Sequence, residues 1–441
     1  MKSRLTFLAA FIAALMFVSS AAFASGTRMS SMSLTGVEPM IQKDTAQWAW
    51  NPATTALFQP LLSIYWDQSA NTAGGAVALM KPISGVELYN RIWADFSSSA
   101  FLLSADSNVK AWDGTTAWLQ GLGGNAQSTL ITNSTPPNLS VMMATTSFAY
   151  KINDICIGVE GSFGYTSQDS DNEYEWRVKA GAFIPLPKGI SVDATISLGQ
   201  PILEQQGNDG GKYTYETIPT AFDLYAYGRF NFQLSETQTL HLFAKYSFAD
   251  HSTNFKQNAS DTDIDFLRTA HTLQIGLSEE MNFSKTSLFY VGFNYKLYMN
   301  YNEYSGELNN VKIPGASEYK YDNTAHSLAL HMGAEGQLIG GLTGRIGAIH
   351  NIVVHNVNNE TDAQTSGQTT SLYSYTTSAS LGLAWKIGQF ILEGTLNKAL
   401  FSSGPDCVSG SGLPEGLNLN VTVVYFFGAP AAAPAAANEE K

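Results

Sequence analysis

Residues 155–165 read Ile-Cys-Ile-Gly-Val-Glu-Gly-Ser-Phe-Gly-Tyr. Ile155, Ile157, Val159, Gly161, Phe163 and Tyr165 fall on one side of an extended chain, and Cys156, Gly158, Glu160 and Ser162 fall on the other. A period of two marks a β-strand between two different environments. The pattern recurs. Tyr174, Trp176, Val178, Ala180, Ala182 and Ile184 oppose Glu175, Arg177, Lys179 and Gly181. Ile190, Val192, Ala194, Ile196 and Leu198 oppose Ser191, Asp193, Thr195 and Ser197. Phe289, Val291, Phe293, Tyr295 and Leu297 oppose Tyr290, Gly292, Asn294 and Lys296. Soluble strands average about five or six residues, whereas about nine to eleven tilted residues cross a bilayer. These runs have membrane length.

The connections sort by length. Short ones fall at 151–153, 185–189, 235–238, 283–285, 340–341 and 388. Long ones are expected at 200–219, 250–268, 301–323, 357–370 and 401–415. Short turns at one end and long loops at the other are the layout of an outer-membrane barrel. Counted back from the C-terminus, strands are expected near 416–427, 389–400, 372–387, 342–356, 324–339, 286–300, 269–282, 238–249, 220–233, 189–199, 174–185, 153–166, 138–151 and 85–94. That gives fourteen. Two weaker runs, Leu61–Asp67 and Gly74–Lys81, raise the count to sixteen. Either number is even, which puts both termini in the periplasm.

Composition agrees with this class. The 441 residues are 44% hydrophobic and only 14% charged, against roughly 25% charged in ordinary soluble domains. Mean hydropathy is −0.06, so Ser, Thr, Asn, Gln, Gly and Tyr have taken the place of charge. A helical membrane protein would need apolar runs of about twenty residues, and none follows the leader. A net charge of −13 repels phosphate and argues against nucleic acid as a partner.

Residues 1–24 read as a secretory signal peptide: Lys2 and Arg4, an apolar run from Leu5 to Val18, and Ala22-Phe23-Ala24 as the cleavage site. At the other end Leu417, Leu419, Val421, Val423, Tyr425 and Phe427 alternate into a final aromatic, the form of an assembly signal read by the barrel assembly machinery. Residues 429–441 are an Ala/Pro-rich tail expected to be disordered. The barrel itself is assigned to 61–428. Cys156 starts a strand and Cys407 sits in a long loop, so the two thiols are expected at opposite ends of the barrel, beyond the roughly 7 Å reach of a bridge.

Residues 25–60 do not alternate. Arg28, Met29, Met32, Leu34 and Met40 lead to Trp48, Trp50 and then Asn51-Pro52-Ala53. Asn is a strong N-cap and Pro suits the first helical position, so 51–52 start a short helix. Over about residues 26–94 the chain resembles the long-chain fatty-acid channel family of the outer membrane, and is similar to the related barrel of the type IX secretion system. Asn51-Pro52-Ala53 with the acidic and aromatic residues around it, and Gly74-Gly75 leading to the turn at 81–84, carry that resemblance. It implies a fourteen-stranded barrel with the N-terminal segment folded inside as a plug. In that family a shift of the plug opens a route for hydrophobic ligands.

If the apolar face meets lipid, the other face lines the lumen. Glu160, Arg177, Lys179, Asp193, Asp223, Arg229, Lys245, Lys296, Glu335 and Arg345 then point inward, because Arg or Lys at the lipid midplane costs roughly 2–4 kcal/mol. They form either a polar channel wall or a paired network that fixes register and anchors the plug. Glu160 is expected near Arg177 and Lys179. Tyr165, Trp176, Tyr246, Tyr295, Trp385, Tyr425 and Phe427 are outward and suit interface girdles. In the hairpin 324–356, only a register that keeps Arg345 inward is consistent with Leu330 and Ile346 facing lipid. That register places His331 and His350 on different faces.

No metal site, cofactor motif or catalytic constellation is found, and no enzyme is expected. The reading is therefore an all-β, transmembrane antiparallel barrel with a luminal plug, in the cell outer membrane. Its expected partners are outer-membrane lipid, the assembly machinery through 417–427, and a small hydrophobic molecule. The leading function is passive uptake of such a compound. The alternatives are a docking barrel for a partner complex and a general polar porin.

Overall fold

The computed structural model describes residues 26–34, 37, 40–41, 50–58, 61–67, 72–83, 86–97, 141–168, 171–206, 213–217, 220–250, 252–257, 262–284, 286–308, 311–312, 319–361, 364–401 and 418–427. The leader, Trp48, most of the long connection at 95–137, Cys407 and the tail lie outside the described residues.

Nineteen strands form one antiparallel sheet. They are β1 (Leu61–Asp67), β2 (Thr72–Ile83), β3 (Val86–Ser97), β4 (Val141–Ile152), β5 (Ile155–Gln168), β6 (Asp171–Leu186) and β7 (Ile190–Gln206). There follow β8 (Tyr213–Thr217), β9 (Asp223–Gln233), β10 (Gln238–Asp250), β11 (Thr253–Gln257), β12 (Thr262–Ser284), β13 (Ser287–Leu308) and β14 (Val311–Lys312). The last are β15 (Tyr319–Ile339), β16 (Leu342–Thr361), β17 (Gln364–Ile387), β18 (Phe390–Phe401) and β19 (Asn418–Phe426). Setting aside the short pieces β8, β11 and β14, sixteen strands remain, each paired with its neighbours in chain order. β1 pairs with β2 on one edge and with β19 on the other, so that Leu61 faces both Ala78 and Phe426. The two weak early runs are thus strands of the same sheet.

Alternation sets the two faces. On β5, Val159 is 50% exposed while its neighbour Glu160 is 5% exposed. Ile157, Val178, Ile196, Leu330, Ile346 and Leu381 are likewise left uncovered by protein, and Cys156, Lys179, Asp193 and Arg345 are buried. The outward face is an apolar belt and the inward face is polar. The hairpin of β15 and β16 turns through Gly340 and Gly341, both at positive φ. Its register sets Glu335 opposite Arg345, His331 opposite Ile349 and Leu330 opposite His350. Arg345 stays inward, and the two histidines take different faces.

One expectation is corrected. The segments expected as long loops are largely paired strand. β12, β13, β15, β16 and β17 are 20 to 24 residues long, roughly twice what a bilayer needs. β16 and β17 are joined across only 362–363, and β8 and β11 continue the sheet between β7 and β12. These extensions read Asn300-Tyr301-Asn302-Glu303 or Asn356-Val357-Asn358-Asn359-Glu360, polar on both faces. With polar residues on both sides the period-two contrast vanishes in the sequence while the ladder continues.

Leu381 is 55% exposed on β17 opposite Ile346. Leu381→Arg is expected to lower stability in lipid vesicles by about 2–4 kcal/mol, measured by denaturant unfolding with heat-dependent gel mobility as the folding check. An unchanged midpoint would show that this face does not meet lipid.

Candidate functional site

The N-terminal segment sits inside the sheet. Its helix α1 (Gly26–Ser31) lies against β16 to β19, and a 3-10 turn at Pro52–Leu57 lies against β3 to β6. The turn begins as its sequence requires. Asn51 is extended, its Oδ1 accepts from the Ala53 backbone N–H at 3.0 Å, and Pro52 follows as the first residue. The Asn51 Nδ2 then donates to the Ala182 carbonyl of β6 at 2.9 Å. One side chain both caps the turn and ties it to the wall. The wall makes room: a Cβ on Gly158 would lie 2.4 Å from the Ala53 nitrogen, and one on Gly347 would lie 2.2 Å from the Met32 carbonyl carbon.

Arg28 is the main ionic contact. Its Nε and Nη2 donate to the two carboxylate oxygens of Glu335 at 2.8 and 3.1 Å. Arg345 donates from Nε to the same Glu335 at 2.6 Å and pairs through Nη2 with Glu393 at 2.8 Å. Two arginines and two glutamates thus form one buried row, with side chains at most 4% exposed. Arg28 is the member of the row that the plug supplies. A bidentate guanidinium also fixes direction as well as charge.

Between the helix and the turn, Met32, Ser33 and Ile41 lie outside helix and strand, and such carbonyls need outside donors. The wall provides them. Tyr290 donates its hydroxyl to the Met32 carbonyl. His331 donates from Nδ1 to the Ser33 carbonyl at 2.9 Å, which leaves Nε2 to accept from the Asn294 amide at 3.0 Å. Ser278 donates to the Met40 carbonyl at 2.7 Å, and Arg229 donates from Nη1 to the Ile41 carbonyl at 3.0 Å. Ser33, at φ 55°, shares a hydroxyl hydrogen bond of 2.7 Å with Ser380.

The apolar side of the plug forms the largest buried cluster in the lumen. Met29, Met32, Leu34, Val37, Met40, Ile41 and Trp50 pack with Tyr227, Phe243, Leu288 and Tyr290 of the wall. Trp50 lies between Tyr225, Tyr227 and Phe243, at centroid distances of 6.4, 5.3 and 6.3 Å. The Lys245 ammonium sits 5.2 Å from the Trp50 ring centroid and 5.5 Å from that of Tyr225.

The remaining wall charges named from the sequence pair with each other. Lys179 meets Glu160 at 2.8 Å across the β5–β6 register. Arg177 goes instead to Asp223 at 3.6 Å, and Asp193 is held by Arg229 at 2.7 Å. Lys296 is half-buried on the inward side of β13. Sequence reasoning missed Tyr290, His331, Ser278 and Glu393. The only signal available was their place on the inward parity of their strands. Among the described residues no group of three or more His, Cys, Asp or Glu is arranged to hold a metal.

No family model matches the chain, and no curated protein does. Solved structures do. The toluene transporter TodX of Pseudomonas putida is 10% identical, with 91% of this chain and 97% of that one covered at a TM-score of 0.41. The toluene transporter TbuX of Ralstonia pickettii is 11% identical, covering 92% and 99% at 0.41. The CymD monoaromatic hydrocarbon channel is also 11% identical, covering 92% and 98% at 0.41. The barrel architecture rests on this chain's own strand pairings.

Replacing Arg28 leaves Glu335 and Glu393 sharing Arg345 in a buried site. Breaking a buried pair costs about 3–5 kcal/mol. Arg28→Met is expected to fall at the low end of that range, since Arg345 remains, and to make the plug sensitive to added protease. Arg28→Met with Glu335→Gln is expected to recover part of the loss. Thermal unfolding of the single and double variants measures it, and strictly additive losses would show that the two residues do not act together.

Proposed function

We propose that the chain is an outer-membrane barrel that passes a small hydrophobic compound through a lumen occupied by its own N-terminal segment. The observation that carries this reading is the Met-rich apolar cluster inside the sheet. A polar porin needs a wetted interior. Here the centre of the lumen is apolar, and the plug brings three methionines to it. Methionine is flexible and polarizable and repacks around varied apolar shapes. A ligand without charge can therefore replace plug contacts at little cost, while ions meet paired charges and a dry barrier.

The outward apolar belt and the membrane-length strands support location in the outer membrane. The last strand, with Val423 and Phe427 outward, is assigned to recognition by the assembly machinery. The docking-barrel reading draws support from one feature, the strand extensions of β12 to β17, which offer a broad surface above the membrane.

In planar bilayers the intact protein is expected to carry no steady ion current, and a variant lacking residues 25–58 is expected to conduct. Cells bearing the intact protein are expected to take up a small apolar fluorophore faster than cells without it. Steady current through the intact protein would overturn the plugged reading, and unchanged uptake would overturn the transport reading.

A further inference from the structure

Several inward hydroxyls of this wall are bonded within the protein. Thr145 donates to Ser162 at 3.0 Å, Ser278 donates to the Met40 carbonyl at 2.7 Å, and Ser380 shares a bond of 2.7 Å with Ser33. Two hydroxyls on β7 are not. The Thr195 and Ser197 side-chain oxygens have no hydrogen-bond partner, although the two residues are only 6% and 3% exposed. Among the described residues the other buried hydroxyl in this condition is that of Thr55, on the plug turn. Buried polar groups are as a rule bonded, and one left without a partner costs free energy. Thr195 and Ser197 carry that cost side by side on one strand face, ~7 Å apart.

Their neighbours belong to the plug's seat. On the β9 side, Thr195 is level with Tyr227 and Ser197 with Tyr225, the two tyrosines that flank Trp50. On the β6 side, Thr195 is level with Gly181, where a Cβ would lie 2.1 Å from the Asn51 Oδ1 and 2.8 Å from the Thr195 Oγ1. Trp50 and Asn51 thus put their side chains on either side of β7 at this height, one against β9 and the other against β6. The charges close by are already paired. Lys179, level with Ser197, holds Glu160 at 2.8 Å, and Asp193, two residues before Thr195, is held by Arg229 at 2.7 Å. The two hydroxyls therefore call for a neutral hydrogen-bonding group and not for a counter-ion.

We infer that Thr195 and Ser197 form a polar subsite of the transport path, and that the compound carried is apolar with one uncharged hydroxyl, a phenol or an alcohol. The inference rests on the uptake reading proposed above. When the ligand displaces Trp50, its apolar body lies among Tyr225, Tyr227 and Phe243 and its hydroxyl reaches β7 beside them. A hydroxyl both donates and accepts, so it bonds a Ser or Thr side chain whichever way the protons point. A few placed polar groups in a mostly apolar site are what make such a site selective.

The test follows uptake of radiolabelled naphthalene by cells carrying the full-length protein, with 2-naphthol or 2-methylnaphthalene as competitor. The competitors share a ring system and differ by a hydroxyl against a methyl group. In the wild type 2-naphthol is expected to block uptake at about tenfold lower concentration, the worth of one hydrogen bond. T195V/S197A, which removes both hydroxyls, is expected to respond to the two competitors alike. T195S, which keeps a hydroxyl at each position, is expected to retain the preference. The preference is a ratio, so it stays readable when the overall rate changes, and heat-dependent gel mobility checks that each variant is folded. S197A alone, expected to lose part of the preference, serves where the double variant does not fold. Equal blocking in the wild type, or a preference that survives loss of the hydroxyls, overturns the inference and leaves the uptake reading in place. Naphthalene uptake no faster than in cells without the protein overturns both.

Discussion

A charge at the lipid midplane of this wall must face inward, and a buried inward charge must find a partner. Lipid enforces the first condition, since a cation at the midplane is expelled by several kcal/mol. The crowded lumen enforces the second, since an unpaired buried charge costs as much or more. The pairs Glu160–Lys179, Asp193–Arg229 and Arg177–Asp223 satisfy it within the wall. Glu335 and Glu393 both meet Arg345. Arg28 completes the set from the plug. The ion pair with Glu335 therefore places Arg28 against the inner wall of the barrel.

The same logic holds for backbone. A segment with little helix or strand, placed where water is excluded, leaves its carbonyls without partners. Tyr290, His331, Ser278 and Arg229 reach four of them from strands β13, β15, β12 and β9. The wall thus acts as the plug's solvent on its polar side, and the Met29–Trp50 cluster acts as its core on the apolar side. Holding the plug needs both, and a ligand that displaces only the apolar contacts leaves the polar ones in place.

Much of the wall was legible in the sequence, and the reason is local. Wherever a strand divides lipid from lumen, parity assigns each residue, and Glu160, Lys179, Asp193, Arg229, Glu335 and Arg345 all follow it. Even the hairpin register was readable, because turning Arg345 outward is too costly. The strand extensions were not readable, since the run from Asn356 to Glu360 shows no regular apolar–polar contrast. Nor were the plug's partners. Arg28 and Glu335 are 307 residues apart, and no periodicity spans that distance. Asn51-Pro52 was an exception, because a capped turn is encoded in adjacent residues.

That separation also orders events in time. Arg28 leaves the ribosome hundreds of residues before Glu335, yet its site does not exist until β15, β16 and β18 have paired. A segment made early therefore takes its final contacts only with strands made late. Contacts between distant residues form slowly because the intervening chain must first be ordered.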